Sequence, residues 1–384
     1  MGNALRRYAY AIHFLFFLHF FIPSKFIVQL QKGTEKMHFP IDKQSKPRYN
    51  VGMEQITIKK VAEVAGVSKT TISKYLNGGN VKKEYKEKVE EALKLLNYRP
   101  NLIAKALKTN RTYTIGILIP FINDSFATQI VANMEEAFQD KGYGILICGY
   151  EGNKYRFRSK LNFLLGKMID AVVVFPSGLS AEDFDGIKDS KIPVCLIDRE
   201  VEGVNADVIM TDNEIAGYVA TNYLLQRGHT RIAFVTGYDT SYTSKRRNNG
   251  IKRALQEKGI PEDQVEFAYC YSSDNIFDKV KALIESPLRP TAIFSTNFYL
   301  TNKTINALNH LRLRVPEDIS LLAFDNVDTY SIYTTRLTIL SQLPKQISAA
   351  SVETILNRIK DTESPKKVLK MGIELVEGDS VNNL

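Results

Sequence analysis

Cysteine is scarce in this chain, and its placement argues against two kinds of site. The 384 residues include three cysteines, Cys148, Cys195 and Cys270, which lie far apart in apolar, strand-like runs. No pair has the spacing of a metal site, and an odd number argues against a disulfide framework. We therefore expect three small buried side chains in a reducing compartment, and no metal centre.

The motifs of common enzyme classes are also missing. The five histidines form no HExxH or other metal-ligand spacing. Neither the dinucleotide motif GxGxxG nor the phosphate loop GxxxxGKS/T is present. The GxSxG elbow of the hydrolases is missing as well. We therefore expect no catalytic residues and no cofactor.

Positive charge is concentrated in the first part of the chain, whose formal net charge is +9. Residues 1–52 contain eight Lys/Arg and two Asp/Glu, and residues 53–110 contain twelve and six. The remaining 274 residues contain thirty-one Lys/Arg and thirty-four Asp/Glu. With 44% hydrophobic and 24% charged residues, the chain has the composition of a folded protein of two or three domains. A basic module beside a slightly acidic body indicates that polyanion binding is confined to one region.

The segment from Tyr8 to Leu30 is apolar and follows two arginines, which is typical of a signal peptide or membrane anchor. Two histidines interrupt it, Pro23 and Lys25 break it, and no small-residue cleavage site follows. Because Met53 opens a complete module of its own, we interpret residues 1–52 as a non-native upstream extension. An N-terminal anchor and a cytosolic extension stay open as alternatives.

Residues from Met53 onward show two short helical patterns joined by a glycine turn. Thr57 is placed to cap the first helix, Gly66 supplies the turn, and Ser68 is placed to cap the second. A third amphipathic helix is predicted from Lys83 to Leu96, and Pro100 begins a short fourth. This arrangement is typical of proteins that place one helix in the DNA major groove.

The second helix of this module carries polar side chains on its outer face. Lys69, Thr70 and Lys74 point away from the predicted core, and lysine and threonine both suit base edges. Thr71 and Ser73 suit phosphate contacts, which position a helix without specifying sequence. The alternative is an ordinary solvated helix face.

The rest of the chain alternates apolar strand-like runs with helical patterns, which predicts parallel sheets covered by helices. The number of strands indicates two lobes, with a ligand site between them beyond the carboxyl ends of the strands. Carboxylates, an arginine, an amide and an aromatic ring near these ends would suit a polyhydroxylated ligand. The alternative is that such polar residues cap the helices that follow. The candidates are Phe126, Asp198, Arg199, Arg247 (read as opening a helix), Asn297, Asp325 and Asn326.

Three segments in unbroken order, TIKKVAEVAGVSKTTISKYLNG, NYRPNLIAKALKT and TYTIGILIP, resemble the LacI/GalR family of bacterial transcription regulators. The resemblance implies a helix-turn-helix headpiece at 56–100, a hinge helix and linker at 101–111, and a two-lobed, periplasmic-binding-protein-like α/β effector and dimerisation domain at 112–384. It makes Leu107 the side chain that wedges into the minor groove. Phe298 follows Asn297 where an aspartate is usual, and offers an extra stacking surface. The implied DNA-binding residues are Thr57, Ser68, Lys69, Thr70, Thr71, Ser73, Lys74, Asn77, Asn101 and Leu107.

The resemblance implies a cytoplasmic, homodimeric repressor of carbohydrate-utilisation genes. It would bind double-stranded operator DNA, and a sugar or sugar derivative would switch its operator affinity. The alternative is a two-lobed sugar-binding receptor with no role on DNA. Residues 56–107 argue against that alternative, since an exported receptor does not need a DNA-reading module.

Overall fold

The structure is a computed structural model that describes residues 56–76, 78–98, 106, 109, 111–271, 273–325 and 335–384. The chain divides between residues 99 and 100 into two compact units, which are described separately. Among the described residues, no helix is long and apolar enough to cross a membrane. The apolar run at 8–30 lies outside them.

The first unit contains three helices, α1 (Ile58–Ala65), α2 (Lys69–Leu76) and α3 (Lys83–Leu95). The Thr57 hydroxyl accepts a hydrogen bond from the Lys60 N–H at 3.4 Å and so caps α1. Gly66 ends that helix at φ 61°, a left-handed conformation that glycine adopts without a steric cost. Val61, Ile72 and Val89, one from each helix, are completely buried together.

The second unit contains two six-stranded sheets, each the centre of one lobe. Lobe 1 has the strand order β11-β5-β4-β3-β1-β2, and lobe 2 has the order β12-β10-β9-β8-β6-β7. Neighbouring strands are parallel except β10 and β12, which are antiparallel. The strands are β1 (Thr114–Ile119), β2 (Gly144–Gly149), β3 (Ala171–Val174), β4 (Val194–Ile197), β5 (Asp207–Thr211), β6 (Ile232–Gly237), β7 (Val265–Cys270), β8 (Ala292–Ser295), β9 (Ser320–Phe324), β10 (Thr338–Gln342), β11 (Val368–Met371) and β12 (Ile373–Val376).

Helices cover both faces of each sheet, as expected for parallel strands whose faces are both apolar. The chain passes between the lobes three times, after β5, after β10 and between β11 and β12, so that the last long helix packs on lobe 1. The helices are α4 (Ser125–Gln139), α5 (Lys154–Gly166), α6 (Asp185–Lys188), α7 (Asn213–Gln226), α8 (Tyr242–Glu257), α9 (Ile276–Glu285), α10 (Phe298–His310) and α11 (Pro344–Lys360).

Helices α7 and α8 touch through their backbones at two glycines. A Cβ on Gly217 would lie 2.1 Å from the Arg247 carbonyl oxygen, and one on Gly250 would lie 1.9 Å from that of Glu214. No side chain fits at such distances. The close approach brings the polar residues near the start of each helix together.

We predict that Gly250→Ala lowers the free energy of unfolding by roughly 1–3 kcal/mol, because the added methyl forces the two helices apart. The matched control is Gly166→Ala in α5, where an added Cβ meets no atom within 4 Å. That change should be neutral or stabilise by up to about 1 kcal/mol. Urea unfolding measures both variants, and equal effects would show that α7 and α8 are not in close contact.

Candidate DNA-binding surface and effector cleft

The start of α2 is fixed by hydroxyl groups. The Ser68 hydroxyl accepts the Thr71 N–H at 3.1 Å and lies 2.9 Å from the Thr71 hydroxyl. Together with the Thr57 cap of α1, these bonds give three predicted DNA-binding residues a local structural role. Ser68 and Thr57 are nonetheless exposed, so they also face solvent.

The side chains of Lys69, Thr70 and Lys74 are exposed on the outer face of α2, while Ser73 is half-buried. Gly79 packs closely against the aliphatic part of Lys74, whose carbonyl accepts the Gly79 N–H at 2.8 Å. The structure therefore gathers two cations and a hydroxyl on one surface of a helix anchored by Ile72. Asn77, Asn101 and Leu107 lie outside the described residues, as does the cleft candidate Asn326.

In the second unit, two aspartates occupy equivalent positions in the two lobes. Asp198 directly follows β4 and Asp325 directly follows β9, and both have left-handed backbones, with φ 79° and 67°. Each N–H donates to the neighbouring strand, Asp198 to the Ile209 carbonyl at 2.9 Å and Asp325 to that of Leu340 at 2.8 Å. Side chains along a strand point alternately to the two faces of the sheet, and a left-handed residue at the strand end departs from that pattern. Residues in such strained backbone conformations cluster at binding sites.

Arg247 is 5% exposed and lies among these strand ends. Its Nε donates to the Asn213 side-chain oxygen at 2.8 Å, its Nη1 donates to the Thr296 carbonyl, and its guanidinium lies 3.6 Å from the centre of the Phe324 ring. Burial lowers the pKa of Arg247 to about 10, against the opposing effect of the Asp325 carboxylate. The prediction that Arg247 opens its helix is wrong. It lies in the second turn of α8, because the polar residues from Tyr242 onward are already helical.

Asp325 is held by a glutamine that the sequence reading missed. The Gln342 amide nitrogen donates to both Asp325 carboxylate oxygens at 3.0 Å, while its oxygen accepts from the Thr211 hydroxyl at 2.6 Å. Thr211 ends β5 and Gln342 ends β10, so the bond joins two of the three crossovers between the lobes. Burial raises the pKa of Asp325 to about 6, although Arg247 and Gln342 act in the opposite direction.

The lobe 1 side of the cleft has its own charged groups. Arg199 donates through Nε and Nη2 to one Asp198 oxygen at 2.9 and 2.6 Å. Asp124 caps α4 by accepting the Ala127 N–H at 3.0 Å. Burial raises the pKa of Asp124, and the Asp198 charge adds to that effect. The cleft therefore contains three carboxylates, those of Asp124, Asp198 and Asp325, and two guanidiniums, those of Arg199 and Arg247.

Phe126 and Phe298, both predicted as ring surfaces for the effector, line a single small cavity with Asp325 and Gln342. Asn297 caps α10, its side-chain oxygen accepting the Leu300 N–H at 2.9 Å. That contact is the helix-capping alternative raised by the sequence. Among the described residues, no group of three or more His, Cys, Asp or Glu side chains could hold a metal ion.

Comparison with known proteins agrees with this architecture. Residues 57–101 match the model of bacterial regulatory proteins of the lacI family, and residues 221–381 match a periplasmic binding protein-like domain. The chain is 34% identical over 333 residues to the HTH-type transcriptional repressor PurR of Aliivibrio fischeri, covering 85% of this chain and 98% of that protein. This chain belongs to the LacI family. It is a DNA-binding transcriptional repressor and not an enzyme, so the sequence prediction of family and function class is confirmed.

Solved structures of LacI-family regulators have the same fold. The lac repressor dimer bound to operator and the anti-inducer ONPF has a TM-score of 0.71 at 22% identity, covering 86% of this chain and all of that one. A LacI family regulator from Enterococcus faecium with bound ribose has a TM-score of 0.63 at 24% identity, covering 71% and 99%. The predicted fold class, a helix-turn-helix unit followed by a two-lobed α/β domain, is confirmed.

We predict that Asp325 makes the stability of this repressor depend on pH. A carboxyl with a pKa of about 6 when folded and about 4 when unfolded binds its proton more tightly in the folded chain. Its contribution is complete below about pH 4 and is lost as pH rises through about 6. Relative to wild type, Asp325→Asn should therefore gain roughly 2–3 kcal/mol in free energy of unfolding between pH 4 and 8.

Urea unfolding of both chains across that pH range measures the difference. Asp140→Asn, at an exposed position, is the control against which the pH profile of Asp325→Asn is compared. A flat profile for Asp325→Asn would mean that the Asp325 carboxyl is solvated in the folded protein.

Proposed function

We propose that this repressor reads an operator with α2 and binds a small polyhydroxylated effector in the cleft between its lobes, which changes its operator affinity. One observation carries this proposal. Asp325, a carboxylate in the cleft, is bonded through Gln342 to Thr211, which links two crossovers between the lobes. A ligand that displaces Asp325 therefore acts directly on the joint about which the lobes move.

The effector class follows from the groups in the cleft. Asp198 and Asp325 can accept protons from hydroxyl groups, and Arg247 can donate to an oxygen. Phe126 and Phe298 can cover the apolar face of a sugar ring. This combination supports a sugar or sugar derivative, as in the ribose-bound regulator. Because the chain is similar to PurR repressors, the panel of compounds tested as effectors should include purine bases as well as sugars, sugar phosphates and sugar acids.

On DNA, the proposed active form is a homodimer whose two headpieces (residues 56–100) contact the two halves of a pseudo-palindromic operator. The hinge (101–111) would fold between them, with Leu107 wedged in the minor groove, and residues 112–384 would bind the effector and the second copy. Effector and operator binding are then reciprocally coupled. Since its target is operator DNA, the repressor would act in the cytoplasm.

For the DNA-reading surface, we predict that Lys69→Ala weakens binding to an operator selected from random duplex DNA by roughly 10–100-fold, because one base contact is lost. Binding to unrelated DNA should fall far less. Lys94→Ala, which removes the same charge from the exposed end of α3, should leave the ratio of specific to non-specific affinity unchanged. Fluorescence anisotropy at fixed salt measures the six affinities of wild type and the two variants for the operator and for unrelated DNA. Equal ratios for the two variants would mean that Lys69 contributes only general charge.

For the switch, we predict that Thr211→Val reduces by at least about threefold the factor by which the active compound of the panel changes operator affinity. The substitution keeps the side-chain shape and removes the hydroxyl that bonds Gln342, so effector binding itself should change little. Thr221→Val is the control, because that buried hydroxyl bonds the Gly217 carbonyl within α7. If both variants keep the full response, the bond between the crossovers plays no part in coupling.

A further inference from the structure

A second, larger cavity lies in lobe 1, away from the cleft. Its volume is about 440 Å³, within the range of small-molecule sites. Val194, the first residue of β4, lines it, whereas Asp198 of the cleft follows the other end of the same strand. Four residues of extended strand span about 13 Å, so the two sites are at opposite ends of the sheet.

Arg358 lines this cavity, and its charge is neutralised by an ion pair. Arg358 is 3% exposed and donates from Nε and Nη2 to the two oxygens of Asp207, at 2.9 and 2.8 Å. The rest of its guanidinium bonds the Ser364 hydroxyl and the carbonyls of Ser364 and Pro365. All of its nitrogen atoms are therefore engaged, and the pair contributes no net charge.

Lys366 is the charged residue of the lining that is half-buried and lies outside this ion pair. Its ammonium has neither a hydrogen bond nor an ion pair to any residue that the structure describes. Burial lowers its pKa and Arg358 adds to that effect, while the charges of Asp207 and Glu363 act in the opposite direction. The other charged residues of the lining, Glu182, Asp185, Lys188, Lys191 and Glu363, are exposed at the rim, with three acids facing two lysines.

A partly desolvated ammonium with no hydrogen bond or ion pair to the described part of the chain is costly to hold, and an anionic oxygen is the group that would offset that cost. We propose that this cavity binds a small molecule through a phosphate or carboxylate group held by Lys366, beside the Arg358 side chain that Asp207 holds in place. This site is separate from the cleft of the proposed function. It makes lobe 1 responsive to a second small molecule, which is an anion.

The experiment is thermal unfolding of the full chain, without DNA, titrated with inorganic phosphate and separately with acetate, at constant pH and ionic strength. Three chains are compared: wild type, Lys366→Gln and Lys367→Gln. Lys367 is the matched control, because it is adjacent and exposed and does not line the cavity. Any binding of anions to the basic headpiece is common to all three.

We expect at least one anion to raise the melting temperature of wild type and of Lys367→Gln along a saturating curve. In Lys366→Gln the half-saturating concentration should rise at least about tenfold, as for the loss of one charged hydrogen bond. The anion that acts distinguishes a phosphate site from a carboxylate site. The proposal is overturned if neither anion gives a saturating rise in wild type, or if the two variants respond alike.

Discussion

Arg247 needs hydrogen-bond acceptors on every side, because it is a cation with almost no access to water, and the cleft is built around that requirement. Three elements meet it: α7 provides the Asn213 oxygen, the end of β8 provides the Thr296 carbonyl, and β9 provides the Phe324 ring. The Asn213 oxygen reaches the guanidinium because α7 and α8 touch at their backbones. The two glycines that allow this contact are therefore as much a part of the effector site as the charged side chains.

The charge balance of the cleft follows from the same burial. Two guanidiniums, Arg199 and Arg247, face the three carboxylates of Asp124, Asp198 and Asp325, which leaves a surplus of one negative charge if all are ionised. Burial raises the pKa of Asp124 and of Asp325, and repulsion from the Asp198 carboxylate adds to both shifts. A ligand rich in hydroxyl groups adds hydrogen-bond donors to these carboxylates without adding charge, so it relieves the strain between them without upsetting the balance.

Local features were predictable from the sequence, and distant pairings were not. The caps Thr57 and Ser68, the turn at Gly66 and the apolar runs of the buried strands act over a few residues, so the pattern alone predicts them. Gln342 was missed because its partner Thr211 lies 131 residues away. Because α8 begins with polar residues, the sequence did not show that the helix starts before Arg247. The strands β11 and β12 are short and partly exposed, so their sequences show little apolar periodicity. For Asn297 the position was predictable and the role was not, since asparagine serves both as a helix cap and as a ligand contact.

Gln342 is suited to join effector site and crossovers because the two ends of an amide are not equivalent. Its nitrogen faces the Asp325 carboxylate, which when ionised only accepts, so its oxygen must face Thr211. A rotation that breaks one bond breaks the other, and each buried group left unpaired costs about 1–3 kcal/mol. In the proposed switch, a ligand that engages Asp325 would therefore either leave both bonds in place or release both. The joint between the lobes would then have two states, one with the bonds and one without them.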